Sequence, residues 1–194
     1  MKYFFETYGC QMNVAESAAM VRTLEARSWR KAQDVESADL VIVNTCSVRH
    51  TAEQRVFGRL DLFNALKRKA VAGRGSVGRE GSPFKVLVAG CMASRLGEKL
   101  KADFVMGTLD RANFPHILDE IEMLNSGERG KEGDNPLPYP FAVGEEASAF
   151  VFSPLHYEEG AVRSFVPIMH GCNNFCAYCC LYCYVKLLAW YQVF

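Results

Sequence analysis

Four times in the first two-thirds of this chain a short apolar run is followed by a helical pattern, and that alternation restricts the fold more than any other feature. Lys2–Tyr8 is aromatic-rich and strand-like, and Val14–Arg27 then places Val14, Ala18, Val21 and Leu24 on one helical face. Asn13 is expected to cap that helix, with Glu16 as its capping-box partner. Leu40–Val43 is a continuous apolar run of the kind that parallel sheets bury on both faces. Thr51-Ala52-Glu53-Gln54 has the pattern of a second capping box, opening a helix with Val56, Leu60, Phe63 and Leu66 along one side. Val86–Ala89 reads as a third strand with a short helix near Arg95–Lys101. Phe104–Met106 reads as a fourth strand, and Phe114–Leu124 as a last helix that aligns Ile117, Ile121 and Leu124. Strand and helix in strict alternation imply an α/β fold with a parallel sheet flanked by helices.

At 194 residues the chain has room for one good domain plus a fragment. The expected division is an α/β domain over 1–125, a linker over 126–162 rich in Gly, Pro and charge, and the start of a second domain over 163–194. Ser164–Met169 reads as the first strand of that second domain, Phe150–Phe152 as a stray edge segment, and Arg74–Pro83 as a Gly-rich surface loop. The formal net charge is zero, so any nucleic-acid affinity must come from a local patch. Glu6 interrupts the N-terminal apolar run and excludes a secretory signal there. No stretch reaches the roughly 20 apolar residues that a membrane span needs. The sequence therefore reads as cytoplasmic, with no membrane partner.

Eight cysteines are present, and in a reducing compartment such a set points to metal ligands or catalysis before disulfides. Cys10, Cys46 and Cys91 each follow a strand, in the turns Tyr8-Gly9-Cys10, Asn44-Thr45-Cys46 and Ala89-Gly90-Cys91. In a parallel sheet those turns share one edge, where ligands of open α/β sheets collect. A single cysteine at a strand end is usually a small apolar residue, but three of three point to a metal or cluster site. Structural zinc is the competing reading, although zinc wants a fourth protein ligand and none recurs there with obvious spacing.

Cys172, Cys176 and Cys179 have C-x3-C-x2-C spacing with Tyr178 just before the last thiol. Three thiolates can hold three irons of a cubane and leave the fourth iron open to a small molecule. A zinc knuckle using Cys176, Cys179 or Cys180, and Cys183 is the alternative.

Four stretches together carry a family likeness: Thr7-Tyr8-Gly9-Cys10-Gln11-Met12-Asn13, Asn44-Thr45-Cys46-Ser47-Val48-Arg49, Gly90-Cys91-Met92-Ala93, and Gly171 through Cys179. Ala52 through Arg59 extends it. The chain resembles the radical-SAM methylthiotransferase family, most closely its tRNA-modifying MiaB-type branch. The resemblance implies a flavodoxin- or Rossmann-like N-terminal methylthiotransferase domain, followed by only the first strand and cluster loop of a radical-SAM barrel. It implies two 4Fe–4S clusters: an auxiliary one on Cys10, Cys46 and Cys91, and a radical-SAM one on Cys172, Cys176 and Cys179. It also implies S-adenosyl-L-methionine as cofactor with Tyr178 beside its adenine, and tRNA as substrate. The implied reaction is methylthiolation of an isopentenylated adenosine next to the anticodon by a monomer, with the electron donor unspecified. No residue is singled out as a general acid or base.

After Cys179 the resemblance stops, and Cys180–Phe194 runs on as an apolar tail. The sequence therefore reads as truncated after the radical-SAM cysteines and inactive as a fragment. The alternative function is a non-enzymatic iron–sulfur binding module. Lys67, Arg68, Lys69, Arg74 and Arg79 read first as a solvated helix end and loop, and second as a phosphate-contacting patch. His50, His116, His156 and His170 read as structural or surface residues, with His170 a candidate neighbour of the Cys172 loop.

Overall fold

The structure, a computed structural model, describes residues 1–47, 50–71, 84–108 and 110–126. Strands β1 (Lys2–Tyr8), β2 (Arg30–Lys31), β3 (Leu40–Thr45), β4 (Lys85–Gly90) and β5 (Phe104–Met106) form one sheet in the order β2-β1-β3-β4-β5. Every neighbouring pair is parallel. Helices α1 (Gln11–Ala26), α2 (His50–Val71), α3 (Cys91–Leu96) and α4 (Phe114–Ser126) make the crossovers and the final cover. This is the doubly wound order of flavodoxin-like sheets, with its switch point between β1 and β3.

Strand β3 shows why the sheet has two cores. Leu40 and Ile42 point to one face and Val41 and Val43 to the other, and all four are fully buried. The Val41/Val43 side packs with Val86 and Val88 against Val56, Leu60 and Phe63 of α2. The Leu40/Ile42 side packs with Tyr3 and Leu87 against Met20 and Leu24 of α1 and Phe114, Ile117, Leu118 and Ile121 of α4. A strand covered on both faces cannot alternate polar and apolar residues, hence its unbroken apolar run.

Several local expectations shift. Strand β2 escapes sequence reading because it is two exposed charged residues on the sheet edge. Such an edge resists pairing with other chains. Helix α1 starts at Gln11 with Cys10 at its N-cap, so Asn13 is not the cap. Asn13 lies one turn in and accepts the Cys10 N–H at 3.1 Å through Oδ1. Glu16 is therefore not a capping partner either; it is buried and ion-paired with Arg111. The sheet-facing stripe of α1 is Asn13, Glu16, Ser17, Met20 and Leu24, while Val14 is exposed. The reason is that the strand ends below offer hydrogen-bonding groups, and polar side chains meet them better than valine does. Helix α3 begins at Cys91 itself, ahead of the expected Arg95, and passes into a short 3-10 turn at Gly97–Lys99. In α4 the buried stripe includes Leu118, whereas Leu124 is left exposed. The expected linker beyond residue 126, Phe150–Phe152, Ser164–Met169, the 163–194 segment and the Arg74–Pro83 loop lie outside the described residues.

Ile121 is fully buried in the α1/α4 core. Ile121→Ala is expected to cost about 2–5 kcal/mol, read as a lowered urea midpoint with an unchanged slope. Tyr3 is buried with its hydroxyl 3.4 Å from Glu25 Oε1. Burial, then the Glu25 charge and hydrogen bond, push its pKa up to about 12. The folded state thus holds this proton more tightly than the unfolded chain, whose tyrosines titrate near about 10. The resulting stability is complete below about pH 10 and is lost as pH rises through about 12. Tyr3→Phe should remove that component of the alkaline unfolding profile, and tyrosinate absorbance should lose its latest-titrating step.

Candidate functional site

The register makes three strand ends flush. Tyr8 pairs with Thr45, and Thr45 pairs with Gly90. Immediately beyond this row lie Cys10, exposed at the start of α1, Cys46, buried after β3, and Cys91, half-buried as the first residue of α3. The three strand-end cysteines singled out from sequence thus share one edge of the sheet, on adjacent strands, and all are free thiols.

Two glycines let the turns approach this closely. A Cβ on Gly9 would fall 2.1 Å from Asn13 Oδ1 and 3.0 Å from Cys46 Cβ, so the Cys10 turn lies directly against the Cys46 turn. Gly90 has φ +95°, and a Cβ there would be 2.4 Å from the Thr45 carbonyl oxygen. Only glycine accepts both the backbone and the contact.

A buried amide pair fastens the edge. Asn13 Nδ2 donates to Asn44 Oδ1 at 3.0 Å and to the Thr45 carbonyl at 2.9 Å. Asn44 Nδ2 donates back to the Asn13 carbonyl at 2.9 Å and to Ser17 Oγ at 3.1 Å. Ser17 Oγ is 2.8 Å from Thr7 Oγ1 on β1, and Thr45 Oγ1 donates to the Ala89 carbonyl on β4 at 2.6 Å. The network therefore links β1, α1, β3 and β4 at the points where the cysteines emerge.

Burial and neighbouring groups disfavour the Cys91 thiolate. The pKa of Cys91 is pushed up to about 11, first by burial, then by the Glu16 carboxylate and by Cys46 and Cys10, while Arg111 opposes the rise. Without a positive centre Cys91 therefore stays a neutral thiol at neutral pH; a metal centre would reverse that preference and take the thiolates. Among the described residues no three His, Cys, Asp or Glu side chains form a group that could hold a metal ion.

Arginines to which the sequence reading gave no site role add ion pairs around these elements. Arg95 Nε donates to Ser47 Oγ at 3.0 Å and its guanidinium pairs with Glu53, tying α3 and α2 to the turn after Cys46. Its position one helical turn after Cys91 was a usable signal. Arg111, which reaches Glu16 from the turn before α4, had no local signal because the partners are 95 positions apart, the difference of their residue numbers. Arg59 Nε donates to Glu6 Oε2 at 3.0 Å, and Tyr8 donates to the same oxygen at 2.9 Å.

The expected basic patch lies elsewhere. Lys67 is paired with Asp103 and sits 5.7 Å from the centre of the Phe84 ring. Asp103 also accepts the Val86 N–H at 2.6 Å, which places this end of α2 beside the start of β4, at the opposite sheet edge from the cysteines. Arg68 and Lys69 are exposed in the last turn of α2. His116 is an exposed surface residue on α4. Cys172, Cys176, Cys179, Tyr178, Arg74, Arg79, His156, His170 and the side chain of His50 lie outside the described residues. No helix among the described residues is long and apolar enough to cross a membrane.

Asn44→Ala is expected to lower stability by about 1–3 kcal/mol for each buried partner left unsatisfied, measured by urea unfolding. Asn44→Asp keeps one acceptor but turns a buried carboxylate oxygen toward the Asn13 carbonyl, and should destabilise at least as much as Asn44→Ala.

Comparison with known proteins gives the family. Residues 2–109 match the model of "Uncharacterized protein family UPF0004". The chain is 45% identical over 186 residues to the tRNA-2-methylthio-N(6)-dimethylallyladenosine synthase of Treponema pallidum (strain Nichols), covering 92% of this chain and 37% of that protein. It is 43% identical over 186 residues to the enzyme of that name from Treponema denticola, and 36% identical over 181 residues to that from Citrifermentans bemidjiense. The aligned part of this chain thus spans little more than a third of the length of these relatives, at 36–38%. The parallel α/β sheet, the flush cysteine edge and the match over residues 2–109 lead to one conclusion: the chain belongs to the UPF0004 family.

Proposed function

We propose that this chain is part of a MiaB-type tRNA methylthiotransferase and that its described domain carries the auxiliary iron–sulfur site. The observation that carries this reading is the flush row Tyr8–Thr45–Gly90, which delivers Cys10, Cys46 and Cys91 to one edge. The names of the relatives support the substrate class, a dimethylallylated adenosine in tRNA. Cys172, Cys176 and Cys179 are assigned to a second 4Fe–4S cluster that engages S-adenosyl-L-methionine, with Tyr178 beside the adenine. The chain is assigned as a monomer acting on tRNA.

The donor set fits a cluster better than a single ion. Thiols are soft donors suited to iron–sulfur centres, and three of them leave one iron open. Thiols arrayed along a sheet edge suit a polynuclear centre, because a single zinc needs its ligands to converge on one point. When bound, such a centre would supply sulfur-transfer chemistry at its open iron. The protein's part is to hold the three thiols at fixed strand ends. The Asn13–Asn44 pair locks the turns, and Gly9 and Gly90 clear the space for their close approach.

Anaerobic reconstitution of the whole chain with iron and sulfide tests this reading. A Cys172→Ala, Cys176→Ala, Cys179→Ala chain is expected to retain about four irons and four sulfides, and the parent about eight. Adding Cys10→Ala, Cys46→Ala or Cys91→Ala to the triple variant should abolish the remaining iron. Retention of iron by all three would sink the assignment.

A further inference from the structure

Glu16 is a carboxylate with a side chain only 7% exposed, in the first half of the helix that Cys10 caps. It lies on the sheet-facing stripe of α1 between Asn13 and Ser17, whose side chains bond the ends of β3 and β1. A buried acid beside groups that become anionic on metal binding is electrostatically adverse, because each added negative charge opposes the next. Arg111, in the short turn before α4, closes an ion pair on it with a partly exposed guanidinium. Asn13, one helical turn before Glu16, meets the Cys10 N–H at 3.1 Å and the Cys10 thiol at 3.4 Å through Oδ1, so the pair stands one turn behind a residue that touches a ligand.

We propose that the Glu16–Arg111 ion pair is a positioning pair for the cysteine edge, setting how much negative charge the Cys10, Cys46 and Cys91 site holds and hence the reduction potential of an iron–sulfur centre bound there. The inference rests on the cluster assignment above. Reduction adds negative charge to such a centre, so a nearby anion disfavours it and a nearby cation favours it. Paired, the two side chains cancel much of each other's field. Separated, they push the potential in opposite directions. The pair also joins α1 to the turn before α4, so it holds shape as well as charge.

The test uses the whole chain carrying Cys172→Ala, Cys176→Ala and Cys179→Ala as parent, reconstituted anaerobically with ferrous iron and sulfide. Iron content and midpoint potential are measured for the parent, Glu16→Gln, Arg111→Gln and the double variant. Glu16→Gln should move the potential upward and Arg111→Gln downward, with the double variant close to the parent. Iron affinity of Arg111→Gln should fall by about 10–100-fold, the range for lost outer contacts of a metal site. A purely structural role would move both single variants the same way, or neither, and either result overturns the inference. If Arg111→Gln does not fold by thermal melting, Arg111→Lys must hold the parent potential and Glu16→Gln must still rise; a failure of either overturns it. A parent that binds no iron overturns the cluster assignment and this inference together. An iron-loaded parent with unshifted variants overturns the inference alone.

Discussion

The reciprocal hydrogen bonding of Asn13 and Asn44 is the constraint on which the functional end of this domain depends. The Asn13 amide donates to the Asn44 amide oxygen and to the Thr45 carbonyl, and the Asn44 amide donates back to the Asn13 backbone carbonyl. Buried polar groups are costly unless paired, so the network tolerates little displacement of α1 relative to β3. Cys10 is attached to it directly, since its N–H donates to Asn13 Oδ1 at 3.1 Å. Cys46 follows Thr45, whose carbonyl accepts from Asn13 and whose hydroxyl donates to β4 just before Gly90 and Cys91. Three distant thiols are thus carried by one continuous polar frame.

That frame sits on two apolar cores that do different work. The Val41/Val43 face, with α2, and the Leu40/Ile42 face, with α1 and α4, supply most of the driving force through apolar burial. Packing alone would permit small slides of helices over the sheet. Directional hydrogen bonds at the carboxyl edge remove that freedom where ligands must be placed. Arg95, clasping Ser47 and Glu53, extends the same principle to the turn after Cys46. The stripe of α1 accordingly changes along its length, from Asn13, Glu16 and Ser17 near the thiols to Met20 and Leu24 over the sheet. Side chains that would be wasteful in a purely structural helix are concentrated within reach of the site.

Much of this was legible in the sequence. The runs at Leu40–Val43 and Val86–Ala89 announced doubly buried strands, because no polar residue interrupts them. Cys10, Cys46 and Cys91 could be assigned to one edge from strand direction alone. What failed was mostly local detail with a common cause. Asn13 and Glu16 match a capping pattern in isolation, yet tertiary partners claim both side chains, and Cys10 takes the cap. The two-residue strand β2 is exposed and charged, so no hydrophobic period marks it. The basic cluster at Lys67, read first as a solvated helix end, keeps Arg68 and Lys69 exposed, but the pairing of Lys67 with Asp103, far along the chain, had no local signal.

By itself the sequence determined the class of fold, the alternation of strand and helix, and the identity of the thiols at the strand ends. Those properties follow from residue type, period and spacing, which are local quantities. Only the tertiary structure decided the strand order, the flush register of Tyr8, Thr45 and Gly90, and the partners of Asn13, Glu16, Arg95 and Arg111. These depend on contacts between residues far apart in sequence, which local pattern cannot encode: Asn13 meets Asn44 at a separation of 31, and Glu16 meets Arg111 across 95, the differences of their residue numbers.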